Sequence, residues 1–361
     1  MGAPANREIK MPTIPADRLK ALAETIFQGA GVSAEESEIV ARHCIDANLA
    51  GHDSHGVLRV VTYCDRIDKG HIVPGAKIEI EKESPTTLVV NGNWGFGFTV
   101  TETVMKKLIE KAKTNNVAVG TIHYQGHIGR LADYPLMAIE EGMIGMITAD
   151  SGRSPKRVAP FGGIEPKLGT NPICMAFPSN LDAPFYFDMA TCAGAAGKLE
   201  VAEARGEHVP EGWLIDKHGK PTTDPATVKD GGAIRPLGGN EGYKGYALGA
   251  MVEILSGLLT GLGFGVDPTG KHNDGCFISV FNVSAFRELE TFKAEVTEFA
   301  EYLKATAPAE GVTEVLYPGE IEHNRRQDRL TNGVYVEDAT WDKLKGLADK
   351  YSVMDRCDFS G

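Results

Sequence analysis

From residue 76 to about residue 190 the chain alternates short β-branched runs with helical periods, and no other feature restricts its fold as much. Strand patterns occupy 76–80 and 87–90 on either side of Glu83-Ser84-Pro85. A helical period covers 98–113 (Val100, Val104, Leu108, Ala112) and is followed by a strand at 117–122, a helix over 129–141, and strands at 143–148, 173–177 and 185–187. Such alternation predicts a mixed α/β domain. The flanks are different. Residues 16–30 set Leu19, Leu22, Ala23 and Ile26 at helical spacing, Ser33 and Glu36 form a capping box for a second helix, and a third period runs from Val57 through Val60, Val61, Cys64 and Ile67 to Lys69-Gly70. A Gly/Pro/Asp-rich stretch from 206 to 242 reads as a long ordered loop. Beyond it an apolar helix is expected over 246–259, a strand over 278–283, and helices over 288–304 and 339–351. The expected fold class is α/β (α+β): a mixed α/β domain of residues 76–239, and a discontinuous, mainly helical domain of residues 1–75 and 240–361.

Composition narrows the function classes. The chain has 361 residues, 42% hydrophobic and 24% charged, and a net charge of -12 with no Lys/Arg block. An acidic surface without a basic stripe argues against nucleic acid or an anionic membrane as partner. A small anionic substrate would therefore need local basic residues. Six cysteines show no C-x-x-C spacing, several lie in apolar stretches, and no H-E-x-x-H is present. This pattern points to free thiols in a reducing compartment and to no metal site. Residues 1–15 are polar and lack the apolar core of a secretory signal, and no run reaches the roughly 18 apolar residues of a membrane span. The expectation is a cytoplasmic enzyme.

Three lookalikes are set aside. Gly265-Val266-Asp267-Pro268-Thr269-Gly270-Lys271-His272 has phosphate-loop spacing, but His272 stands where the magnesium-binding hydroxyl belongs and Pro268 removes a backbone amide. The glycines at 92–97 and 261–265 lack G-x-G-x-x-G spacing between strand and helix, and no acidic residue closes a second strand about 20 residues on. A Rossmann domain is not expected. Ser54 lacks the G-x-S-x-G elbow, and its neighbour His55 is expected to be poorly placed as its base, which excludes acyl transfer.

Five polar clusters remain. In Gly51-His52-Asp53-Ser54-His55-Gly56-Val57-Leu58-Arg59, Gly51 ends one helix and Asp53 or Ser54 is expected to cap the next. His55 would lie at the positive helix end and Arg59 one turn on, a pair suited to an anion or, equally, to a capped surface helix. Gly126-His127-Ile128-Gly129-Arg130 follows a strand and opens a helix, where open sheets place ligands; His127 is either a general acid/base or a loop histidine. Asp188 ends the aromatic strand Phe185-Tyr186-Phe187, where it could orient a histidine, bind a ribose hydroxyl, or cap the helix running to Glu203. Gly238-Gly239-Asn240-Glu241-Gly242-Tyr243-Lys244 is a glycine loop with one lysine at a helix start. Pro318-Gly319-Glu320-Ile321-Glu322 precedes Arg325, Arg326 and Arg329, which read as a solvated helix face.

Taken in order, His52-Asp53-Ser54-His55-Gly56, Gly126-His127-Ile128-Gly129, Gly169-Thr170-Asn171-Pro172, Asp188-Met189-Ala190-Thr191, Lys244-Gly245-Tyr246 and Pro318-Gly319-Glu320 resemble the malate/L-lactate dehydrogenase family that lacks a Rossmann fold. The details look closest to its bacterial hydroxycarboxylate dehydrogenases. The resemblance implies hydride transfer between NAD, with NADP as the alternative, and a small anionic 2-hydroxy or 2-oxo acid, in a homodimer. It implies His127 as proton acceptor with His55 as the other candidate, Arg59 as bidentate carboxylate anchor and Ser54 as a hydrogen-bonding neighbour. It further implies a cofactor cleft made by His55, Gly129, Arg130, Leu131, Thr170, Asp188, Met189, Ala190, Thr191, Tyr243, Lys244, Gly319, Glu320, Ile321 and Glu322. The alternatives within the resemblance are an NADPH-dependent reductase of cyclic imino acids such as piperideine-2-carboxylate and an inactive binding relative. Tyr124-Gln125-Gly126 and Asn240-Glu241-Gly242 depart from the family pattern and bear on substrate and cofactor choice.

Overall fold

The structure, a computed structural model, describes residues 13–150, 153–267, 271 and 274–360, apart from five side chains between 196 and 205. Residues 268–270 and 272 of the phosphate-loop lookalike lie outside the described residues. The chain divides into two compact units, Met1–Asp65 with Glu322–Gly361, and Arg66–Ile321.

The first unit begins with the two-residue strand β1 (Thr13–Ile14) and helices α1 (Ala16–Gly29) and α2 (Ala34–Leu49), and includes the start of α3 (Arg59–Asp68). Leu19, Leu22, Ala23, Ile26 and Phe27 form the buried stripe of α1, which packs on α2. Ser33 caps α2 by accepting the Glu36 N–H at 3.2 Å, as the capping box predicts.

The second unit carries β2 (Glu79–Glu83), β3 (Thr87–Asn91), α4 (Gly97–Asn115), β4 (Val117–His123), α5 (Asp133–Glu140), β5 (Met143–Asp150), β6 (Ile173–Phe177), β7 (Phe185–Met189) and α6 (Ala196–Arg205). There follow β8 (Leu214–Ile215), β9 (Pro221–Thr222), β10 (Ala233–Ile234), α7 (Tyr243–Glu253), β11 (Gly275–Asn282), α8 (Leu289–Lys304) and the start of α9 (Glu320–Asn332). The rest of α9, β12 (Val334–Tyr335) and α10 (Asp338–Lys350) return to the first unit, where β12 pairs with β1 and α10 packs on α1.

Seven strands form one sheet in the order β2-β3-β4-β11-β5-β6-β7. β3 and β4 run parallel, and the other pairings are antiparallel. This mixed sheet is not a doubly wound one, in agreement with the missing dinucleotide fingerprint. Ala118, Ile122, Ile278, Val280, Ile147, Cys174 and Ala176 share one face by register and form its dry core with Val104, Leu108 and Ala138 of α4 and α5. The opposite face is partly polar: Thr148 shares a 2.8 Å hydrogen bond with Ser256, in the π-helical stretch Ile254–Leu258 that continues α7. β11 lies between β4 and β5, which holds the late segment of the chain to this sheet.

Register also aligns the sheet ends. Asn91 lies beside His123, Cys276 beside Ile122, Gly275 beside Asp150, and Ile173 beside both Thr148 and Met189. The carboxyl ends of β3, β4, β5 and β7 and the amino ends of β6 and β11 therefore share one edge of the sheet.

Several local expectations shift. The helix expected over 129–141 starts at Asp133, and the strand expected at 76–80 is Glu79–Glu83 with a bulge between Ile80 and Lys82. The stretch from 206 to 242 is not all loop but contains the small sheet β10-β8-β9. Its strands are two residues long and pair across turns, too short for period 2 to show in the sequence.

Candidate active site

In the first unit, residues 51–59 do not cap a helix as expected. Asp53–His55 is a single 3-10 turn, and α3 begins at Arg59 itself. The cause is lateral: the Asp53 carboxylate accepts Asn48 Nδ2 at 2.7 Å and both terminal nitrogens of Arg329, at 2.6 and 3.0 Å. Asn48 also accepts the Val57 N–H at 2.7 Å, and Arg329 donates to the Asn48 carbonyl. The turn is thus held at both ends by side chains from α2 and α9. The face of α9 is partly solvated, as expected, but its arginines are paired: Arg329 with Asp53, and Arg326 with Asp46 at 2.7 Å.

Within that turn Ser54 Oγ lies 3.0 Å from His55 Nδ1, correcting the expectation that the two cannot hydrogen-bond. The bond orients the imidazole. Arg59 donates Nε to the Ser54 carbonyl at 2.6 Å, and its two terminal amino groups have no partner among the described residues. That leaves the planar fork that binds a carboxylate end-on.

In the second unit, His127 lies half-buried beyond β4 in a loop fixed through its neighbours. Gly126 N–H donates to Gly95 O at 2.9 Å, Ile128 N–H to Asp274 Oδ2 at 3.1 Å, and the Tyr134 hydroxyl to Ile128 O at 2.7 Å. The buried Gln125 accepts Thr101 Oγ1 at 3.0 Å. A Cβ on Gly97 would stand 2.2 Å from Gly126 O and 2.6 Å from His127 O, so the start of α4 presses on this loop and admits only glycine. Asp274 escaped sequence reasoning because nothing around it marks it; β11 brings it to the loop.

At the same sheet edge, Asp188 accepts the Ala132 N–H at 2.9 Å. It does not cap α6, which starts only at Ala196. Burial pushes its carboxyl up to about 6, against the Ala132 N–H and Arg130, which favour the ionised form, while Asp133 adds to the rise. Arg130 is buried and committed to Asp133, with Tyr186 Oη 3.4 Å away; that neighbouring carboxylate overrides burial and raises its pKa. Leu131 is buried beside it. β7 is an edge strand, and Tyr186 N–H points outward to Pro318 O at 3.2 Å. By alternation the Asp188 amide and carbonyl point outward too. Thr191 donates its N–H to Thr170 O at 3.0 Å and its hydroxyl to Asn171 O at 3.0 Å, joining the Met189-Ala190-Thr191 turn to Gly169-Thr170-Asn171-Pro172.

The remaining candidates are less converged. Tyr243 and Lys244 are exposed at the start of α7, with Lys244 3.2 Å from Glu241. Gly319, at φ 100°, packs on Pro184 O toward the start of β7, whereas Asp188 lies toward its end. Glu320 is committed to Lys304 and to the Tyr317 N–H, Ile321 is exposed, and Glu322 belongs to the first unit. All six cysteines are free. Among the described residues no group of three or more His, Cys, Asp or Glu could hold a metal ion, and no helix is long and apolar enough to cross a membrane.

Comparison with known proteins matches this arrangement to one family. The family model for malate/L-lactate dehydrogenase covers residues 14–345. The chain is 38% identical to malate/(S)-sulfolactate dehydrogenase of Methanothermus fervidus, over 91% of this chain and 95% of that one. It is 33% identical to hydroxycarboxylate dehydrogenase B of Escherichia coli K12, over 91% of each. Its fold superposes on the crystal structure of malate dehydrogenase from Entamoeba histolytica with a TM-score of 0.88 at 32% identity, covering 95% of this chain and 99% of that one. Membership implies a nicotinamide cofactor. The chain belongs to the malate/L-lactate dehydrogenase family of oxidoreductases acting on CH–OH donors.

Proposed function

We propose that this protein transfers a hydride reversibly between NAD and a small 2-hydroxy acid, giving the 2-oxo acid. The observation that supports the reading is the shared sheet edge: the loop that carries the half-buried His127 continues to Ala132, whose N–H Asp188 accepts at the end of β7, where Thr191 bonds the Thr170-Asn171 turn, in a chain of this family. The donor set there fits a nicotinamide nucleotide. The outward amide and carbonyl of Asp188 complement a carboxamide, and its carboxyl can meet ribose hydroxyls. When bound, the nicotinamide supplies the hydride acceptor or donor.

The chain's own residues supply the rest. His127 takes the proton of the substrate hydroxyl in oxidation and returns it in reduction, since an imidazole titrates near neutrality. Its backbone is held by hydrogen bonds at the residues on both sides, which reduces the reorganisation needed at the reacting carbon. Arg59 binds the substrate carboxylate through the two amino groups left by its Nε bond to Ser54, and Ser54 and His55 orient the same end. A homodimer is part of the proposal. On α7 and its extension the outward face is apolar, with Leu248 41%, Met251 52%, Ile254 45% and Leu258 47% exposed, while Glu253 and Ser256 point inward, an arrangement that suits a second copy against that face.

The test is a panel of 2-oxo acids with NADH and, separately, NADPH, followed by loss of reduced-cofactor absorbance. Turnover with at least one 2-oxo acid is expected, and comparing the two cofactors decides the 2′ group. Cofactor binding without turnover of any panel member overturns the reading, and turnover of cyclic imino acids alone transfers it to imine reduction.

A further inference from the structure

Where α7 meets the polar face of the sheet, charge replaces hydrocarbon. Lys156, its side chain 3% exposed, sets Nζ 3.1 Å from Glu253 Oε1 and 3.4 Å from Asp150 Oδ1, and those side chains are 8% and 0% exposed. Asn171 donates Nδ2 to Glu253 Oε2 and to Gly249 O, both at 2.8 Å. Lys156 therefore ties the end of β5 to α7, and Asn171 ties α7 to the turn before β6. That turn needs an external hold. Asn171 has φ 42°, in the left-handed region that strains a side-chain-bearing residue. The carbonyls of Thr170 and Asn171 are the ones that receive Thr191.

The cluster is costly by itself. Asp150 Oδ2 and Asn171 Oδ1 have no partner among the described residues although both residues are buried, and a buried polar atom without a partner is destabilising. Asp150 faces Lys156 from the loop, Glu253 from α7, Asp274 from just before β11 and Cys276 from β11. Burial pushes its carboxyl up to about 7, with Lys156 opposing and Glu253 and Asp274 adding to the rise.

We propose that Lys156 is a positioning residue for the cofactor turn: by holding Glu253 against Asp150, it sets through Asn171 the Thr170-Asn171 backbone that carries Thr191. The inference rests on the reading of Thr170 and Thr191 as cofactor-binding residues. Its physical content is compensation. Without the ammonium, Asp150 and Glu253 repel when ionised, Glu253 draws away, and Asn171 loses an acceptor that orders the turn.

The experiment titrates NADH and NADPH by fluorescence against wild type, Lys156→Met, Lys156→Arg and Lys156→Met/Glu253→Gln, with folding followed by circular dichroism. For Lys156→Met the cofactor Kd should rise about tenfold at pH 8 and return toward wild type near pH 6, as the uncompensated Asp150 carboxyl takes up its proton and the repulsion is relieved. Adding Glu253→Gln should flatten that pH profile and recover most of the affinity, and Lys156→Arg should stay within about threefold of wild type. A Lys156→Met Kd within about twofold of wild type overturns the proposal, as does a rise that is equal at every pH and indifferent to Glu253→Gln. Should Lys156→Met not fold, Glu253→Gln alone decides: it is expected to weaken binding about threefold, and unchanged binding overturns the role. Wild type that binds neither cofactor overturns the dehydrogenase reading itself, whereas wild-type binding with an indifferent Lys156→Met overturns only this inference.

Discussion

Arg329 grips both oxygens of Asp53, Nη1 to Oδ1 at 2.6 Å and Nη2 to Oδ2 at 3.0 Å, and so closes from a distant helix a turn that looks local in the sequence. Asp53 is half exposed, so the pair adds no more than about 1 kcal/mol to stability, and its effect should fall on geometry instead. Arg329→Ala is expected to lower Tm by only about 3 °C while raising KM for the 2-oxo acid about tenfold, with kcat changed less. Steady-state kinetics and a melting curve check this, and an unchanged KM would detach Arg329 from the Ser54-His55-Arg59 turn.

Arg59→Lys keeps the charge but loses the fork. KM should rise about 10- to 100-fold for every 2-oxo acid in the panel, since an ammonium cannot make two parallel bonds to one carboxylate. A KM that stays at the wild-type value for all of them removes the anchor role.

His127→Ala should reduce kcat by about 10²–10⁴ with circular dichroism unchanged. Gly97→Ala provides an indirect counterpart. Its methyl would collide with the Gly126 and His127 carbonyls, so the histidine is displaced without being altered, and kcat should fall about tenfold or more. If His127→Ala turns over at the wild-type rate, proton transfer belongs to another residue, with His55 next to be tested.

Asp188 predicts a pH dependence of stability. Its carboxyl titrates near 3.8 when unfolded and at about 6 when folded, so the folded state holds the proton more tightly. The stability this contributes is fully present below pH 3.8 and is lost as pH rises through 6. Asp188→Asn keeps an acceptor for the Ala132 N–H and has no charge to desolvate. Its Tm should match wild type near pH 4 and exceed it near pH 8. A variant less stable than wild type at the higher pH would mean that the ionised form is favoured by Arg130 more than burial penalises it.

The apolar outer face of α7 predicts self-association. Met251→Glu should shift the protein toward monomer in multi-angle light scattering, because an unpaired carboxylate in an apolar interface is costly. Wild type that is monomeric at micromolar concentration removes the homodimer.

Much of the architecture was legible in the residues. Alternating periods over 76–190 marked the mixed sheet, Ser33 and Glu36 marked the start of α2, and the absent dinucleotide fingerprint excluded a doubly wound sheet. Helix starts were less legible where a side chain from elsewhere intervenes. Asp188 takes the Ala132 N–H ahead of α5, and Asn48 and Arg329 draw Asp53 away from α3.

The sequence by itself determined the periods, the caps and the ordered set of polar clusters, because each depends on residues within a turn or two of one another. Only the tertiary structure decided which of the charges serve those clusters. Arg329 and Asp53 are separated by 276 positions, Ile128 and Asp274 by 146, and Lys156 and Glu253 by 97. Pairing at such separations follows from strand order and helix docking, which put β11 beside β4 and α7 over the end of β5, and no local pattern of residues encodes it.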